Sequence, residues 1–82
     1  MGYQMKLIIV LTTGVTIEIH SEDTFSLNGK KQALSTMAKE LTSGQGHFTI
    51  KHFVKKEKIN VTYYLNSEKV SWCYVQEVKK DA

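Results

Sequence analysis

A chain of 82 residues, 41% hydrophobic and 23% charged, is long enough to bury one core and too short for two, and its composition is that of a folded rather than a disordered protein. The net charge is +3 and all eleven basic residues are lysines, so the chain attracts anions without the planar fork by which arginine grips phosphate and guanine edges. The longest apolar run, Leu7 to Leu11, falls far short of a membrane span, and no small-residue cleavage site follows it as a signal peptide would require.

The single cysteine, Cys73, excludes an internal disulfide and fits a reducing compartment, with no sign of secretion. It lies in the apolar run Val70-Ser71-Trp72-Cys73-Tyr74-Val75 and reads as a small buried hydrophobe rather than a reactive thiol.

In chain order, Met1 to Gln4 fit a disordered leader. Met5 to Leu11 reads as a strand that is apolar on both faces, Leu7, Ile9 and Leu11 against Ile8 and Val10. Thr13-Gly14 makes a turn, and Val15 to His20 alternates as the second arm of a hairpin. After the polar break at residues 21–24, Phe25 and Leu27 either extend the strand or lead into a helix, with Asn28 as its N-cap. Leu34, Met37, Ala38 and Leu41 fall at i, i+3, i+4 and i+7, one helical stripe that ends at Gly44 and Gly46. Lys30 and Lys31 would oppose the dipole of such a helix. His47 to Val54, Ile59 to Leu65 and Val70 to Val78 then read as three more strands joined by charged turns, with Lys79 to Ala82 a frayed tail. The expected fold is α+β, in the order ββαβββ: one antiparallel sheet with one helix on one face.

A lone helix shields only one side of such a sheet. The core side is expected to take Leu7, Ile9, Ile17, Ile19, Phe48, Ile50, Val61, Tyr63, Trp72 and Tyr74. The open side would carry Ile8, Val10, Phe53, Tyr64, Cys73 and Val75, and of these Ile8, Val10, Phe53, Cys73 and Val75 are the expected interface. Self-association into a homodimer or larger assembly is the simplest use of that patch. The competing reading is a β-bulge, which would return some of these residues to a single core.

No Gly-rich phosphate loop, zinc pattern or nucleophile elbow is present in the sequence, and no cofactor is implied. His47 and His52 are five apart on one strand and point to opposite faces, and His20 lies in another hairpin, so a shared metal ion is not expected. His52 alternates with Phe48, Ile50 and Val54, as a core or rim histidine does. Glu18 and His20 share a strand face, but no nucleophile is spaced to join them, and the chain is expected to be non-enzymatic. The basic stretch Lys51, Lys55, Lys56 and Lys58, with Phe53 and Tyr64, is the candidate site for nucleic acid or a nucleotide-like anion. Its competing reading is a solvated hairpin tip whose lysines guard an edge strand.

The stretch Tyr64-Leu65-Asn66-Ser67-Glu68-Lys69-Val70-Ser71-Trp72, followed by Val75-Gln76-Glu77-Val78, resembles the ending of many short proteins of Gram-positive bacteria and their phages. The opening, Lys6-Leu7-Ile8-Ile9 through Thr13-Gly14-Val15-Thr16-Ile17, is similar to their first hairpin. The resemblance skips the helix and carries over no functional residue. It implies a phage or prophage accessory protein that binds and blocks a host protein, and a nucleic-acid or anion binder stands as the alternative.

Overall fold

In the computed structural model, which describes residues 2–44 and 46–80, β1 (Gly2–Leu11) turns into β2 (Thr16–His20) through Thr12, Thr13 and Gly14. The Gly14 amide donates to the Leu11 carbonyl and the Leu11 amide to the Val15 carbonyl, both at 2.9 Å, which closes a tight hairpin turn. Gly14 has φ 93°, a left-handed value that a residue with a Cβ adopts only under strain. The resulting register sets Leu7 against Ile19 and Ile9 against Ile17, so four fully or nearly fully buried residues share one face.

The bend at residues 21–23 carries the chain out of this sheet into β3 (Thr24–Leu27), a short strand in place of the expected lead-in. β3 ends in a two-residue turn at Asn28 and Gly29, with φ of 51° and 81°, closed by reciprocal hydrogen bonds between Leu27 and Lys30. Asn28 is therefore not a helix cap. Its side chain accepts from the Thr49 amide at 2.9 Å and ties the turn to the next strand. Helix α1 (Leu34–Ser43) starts later, with Ala33 at the cap position, so Lys30 and Lys31 precede it and do not oppose its dipole from within. The stripe is as read from the spacing: Leu34, Met37 and Leu41 are buried and Ala38 packs beside them.

After Gly44 come β4 (His47–Val54), β5 (Ile59–Asn66), a 3₁₀ turn (Ser67–Lys69) and β6 (Val70–Lys80). Asn66 caps the turn by accepting from the Glu68 amide at 3.0 Å. The α+β class holds, with antiparallel pairing throughout, but the described strands number six and form two three-stranded sheets, β2-β1-β6 and β3-β4-β5. Apolar residues from the inner faces of both sheets and from α1 make one cluster, centred on Leu7, Ile9, Ile19, Leu27, Met37 and Ile50. Gly2 to Gln4, expected as a leader, instead pair with Lys80 to Val78 in the β1–β6 ladder, which also removes Lys79 and Lys80 from the frayed tail. Met1, Asp81 and Ala82 lie outside the described residues. No helix among the described residues is long and apolar enough to cross a membrane.

One irregularity decides which side chains face outward. Along the β1–β6 ladder Val10 pairs with Trp72 but Leu11 pairs with Val70, so Ser71 is an extra residue, a bulge. Val70 packs on the core, and past the bulge the alternation is inverted. Cys73 and Val75, opposite Ile9 and Leu7, turn inward, while Trp72 and Tyr74 turn out. The expected face assignment of β6 is thereby reversed.

Candidate functional site

The outer face of β2-β1-β6 is built from alternate residues of three strands: Thr16, Glu18 and His20 on β2, Lys6, Ile8 and Val10 on β1, Trp72 and Tyr74 on β6. α1 packs on the opposite, inner side, since Cys73 Sγ donates to the Ala38 carbonyl at 3.4 Å. Among the described residues, nothing covers the outer side. Trp72 is 53% and Tyr74 39% exposed, and their rings stack on each other with centroids 4.8 Å apart and planes 22° from parallel. Ile8, 4% exposed, pairs across the ladders with Glu18 and Tyr74, and half-buried Val10 pairs with Trp72. The face thus carries an aromatic pair above an aliphatic floor. At its β2 margin the Lys6 ammonium lies 3.3 Å from Glu18, and His20 Nε2 lies 3.8 Å from the same carboxylate oxygen.

The expected interface residues are therefore divided among three places. Ile8 and Val10 lie on this face. Cys73 and Val75 are inside, against the helix, and burial pushes the Cys73 thiol up from its usual pKa, as suits the buried-hydrophobe reading. Phe53 is half-buried on the other sheet. Trp72 and Tyr74, which alternation alone assigns to the core, complete the face. The signal that would have found them is the bulge, and Ser71 carries no local mark of one.

Of the expected anion-site residues, Lys51, Phe53 and Tyr64 share the outer face of β3-β4-β5, where Lys51 pairs with Thr62, Phe53 with Asn60 and Tyr64 with Thr49. Lys55, Lys56 and Lys58 lie apart from them in the β4–β5 turn. Lys55 and Lys56 border a cleft of ≈ 660 Å³ together with Gln4, His20, Glu22, Asp23 and Glu57, so acidic neighbours dilute their charge there.

Beside that cleft is a buried polar contact that the sequence did not reveal. His52 Nε2 donates to Asp23 Oδ2 at 2.7 Å, and Asp23 Oδ1 accepts from the Lys55 amide at 3.1 Å. Burial pushes the Asp23 carboxyl up, but the hydrogen bonds from His52 and from the Lys55 amide outweigh it and hold the group below its usual pKa. The side chains are only 3% and 8% exposed, and the His52 ring stacks near Tyr63 at 6.5 Å. This sealed pair fastens the 21–23 bend to the end of β4. His52 is thus the core histidine that its spacing suggests, and its partner, 29 residues away, carries no pattern linking the two. Among the described residues, no group of three histidine, cysteine or carboxylate side chains is placed to hold a metal ion.

Fold and surfaces together define a class: a small α+β protein of two antiparallel sheets sharing one core, with an aromatic pair on one open face. No protein-family model matches the chain, and no curated protein or solved structure compared with it is similar.

Proposed function

We infer that the protein is a non-enzymatic binding module that holds a protein partner against the outer face of β2-β1-β6, as a phage or prophage accessory protein would when it occupies and blocks a factor of its host cell. The observation that carries this reading is the stacked pair Trp72 and Tyr74, standing exposed over Ile8 and Val10 with no element among the described residues above them. Tryptophan and tyrosine are the residues in which interface energy concentrates, because each buries a large, stiff surface and keeps one polar atom for a hydrogen bond. The mixed charge at the margin, Lys6 with Glu18, suits the polar rim of a protein interface better than the one-sign field of a polyanion site. A catalytic reading finds less support, since the hydrogen-bonded pair His52 and Asp23 is buried and fastens two elements together, and the looser pair His20 and Glu18 has no nucleophile spaced to join it.

The test is retention of a partner from a Gram-positive host lysate on immobilised wild-type protein, Trp72→Ala and Tyr74→Ala. Wild type should hold one protein at a fixed ratio. Either substitution should weaken that hold by about thirtyfold or more, the loss that follows from a hot spot of about 2 kcal/mol. Full retention by both variants would overturn the assignment of the face.

A further inference from the structure

The second sheet offers a different chemistry on the opposite side of the fold. The outer face of β3-β4-β5 presents Thr24 and Ser26 from β3, Lys51 and Phe53 from β4, and Thr62 and Tyr64 from β5, with no carboxylate on any of the three strands' outward positions. Tyr64, at 80%, is the most exposed of the large apolar and aromatic side chains among the described residues. A groove of ≈ 240 Å³ runs beside Lys51 and Phe53 and is bordered by Thr24, Ser26, Gly29 and Lys31. Among the described residues, neither Lys31 nor Lys51 is within ion-pair distance of a carboxylate, whereas Lys6 on the first sheet is neutralised by Glu18.

We propose that this face binds single-stranded nucleic acid, with bases stacked on Tyr64 and Phe53 and the intervening backbone phosphate held by Lys51 and Lys31. The register supports the spacing. Tyr64 lies opposite Thr49, four residues along β4 from Phe53, so the two rings are about 14 Å apart along the strand with Lys51 midway. An aromatic–lysine–aromatic order with hydroxyl donors beside it is what an extended strand of bases and phosphates requires, since a π-face accepts any base and a lysine accepts any phosphate. A duplex hides its base faces and cannot use the aromatic rings. The absence of arginine means that affinity comes from stacking and charge, without sequence reading. The site shares no residue with the Trp72–Tyr74 face and stands or falls separately from it.

Fluorescence anisotropy of a labelled oligothymidine of about ten nucleotides, titrated with the full chain between about 50 and 200 mM salt, tests the proposal. Wild type should bind, and binding should weaken as salt rises. Tyr64→Ala should weaken it by about tenfold, as loss of one base–aromatic stack does. Lys51→Gln should weaken it and lower the magnitude of the salt slope by about 0.7, as loss of one phosphate contact on a single strand does. Lys39→Gln, the same loss of charge at an exposed position on α1 outside both faces, should bind nearly as wild type does and serves as the control. No binding at the lowest salt would overturn the proposal. So would a duplex bound as tightly as the single strand, or a Tyr64→Ala protein that binds unchanged, since either would reduce the site to a nonspecific patch of charge.

Discussion

Asp23 is held at both carboxylate oxygens, by His52 and by the Lys55 amide, and its net pKa is lowered even though burial acts the other way. The sign for stability follows. In the unfolded chain the carboxyl titrates near its ordinary value of 3.8, and in the fold below it. The stabilisation is therefore complete above that unfolded value and is lost as pH falls through the lower, folded one. Asp23→Asn should cost about 1–3 kcal/mol near neutral pH, because it removes a charge-assisted bond to a buried ring. In urea titrations, that cost should begin to shrink as the pH drops below about 3.8, where the unfolded chain takes up the proton first, and should be gone once the folded carboxyl is protonated as well. A difference between the two proteins that stays constant down to pH 2 would show that the Asp23 charge does not stabilise the bend. Nothing near Asp23 in the sequence announced this role. Hydrogen-bond pairing across 29 residues leaves no periodic trace, whereas the burial of His52 was legible from its alternation with Phe48 and Ile50.

The glycines show how the same residue ends two elements for different reasons. At Gly14 the requirement is backbone conformation: φ is 93° and nothing lies within 4 Å of where a Cβ would stand. At Gly44 the backbone is ordinary, with φ −77°, but an added Cβ would meet the Glu40 carbonyl oxygen at 2.6 Å and the Phe48 ring at 2.8 Å. Gly44 also closes α1, its amide donating to that same Glu40 oxygen at 2.7 Å. Thermal denaturation should therefore separate the two sites. Gly14→Asn, a residue that tolerates the left-handed region, should cost less than about 1 kcal/mol. Gly44→Ala should cost about 1–3 kcal/mol through overpacking against backbone and a buried ring. Equal melting temperatures for Gly44→Ala and wild type would mean that the helix end and Phe48 can separate freely. At this scale the Asn28-Gly29 pair is the instructive miss. Asn-Gly flanked by Leu27 and a lysine is a strong signal for a tight β-turn, and reading Asn28 as a helix cap hid the strand that precedes it.

For the whole molecule, the presence of β3 changes how the core is closed. With β3, β4 and β5 gathered into a second sheet, each sheet's inner face is shielded by the other layer and by α1, and two outer faces remain. Those faces differ in kind. One is aromatic over aliphatic, the other hydroxyl-rich with Phe53, Tyr64 and Lys51, a lysine without an ion-pair partner among the described residues. In the absence of another partner, the apolar one is the surface through which two copies would associate, since a two-fold axis brings the same patch of both chains together. Light scattering across a concentration series should then show the mass rising from 9.4 kDa toward twice that value, and Trp72→Ala should hold it at the monomer. A mass of 9.4 kDa at every concentration would remove self-association from the uses of this face.

Alternation and helical spacing determined most of the elements by themselves, because those periods are local consequences of backbone geometry: the first hairpin, the stripe Leu34, Met37 and Leu41, and the extents of β4 and β5 were all legible. Tertiary structure alone decided which side of β6 faces outward. A period of two specifies two faces without naming the inner one, and a single extra residue at Ser71 exchanges them downstream. It also decided that five strands and a lead-in become two sheets. Sheet membership depends on which edges meet across the core, an energy shared among residues far apart in the chain.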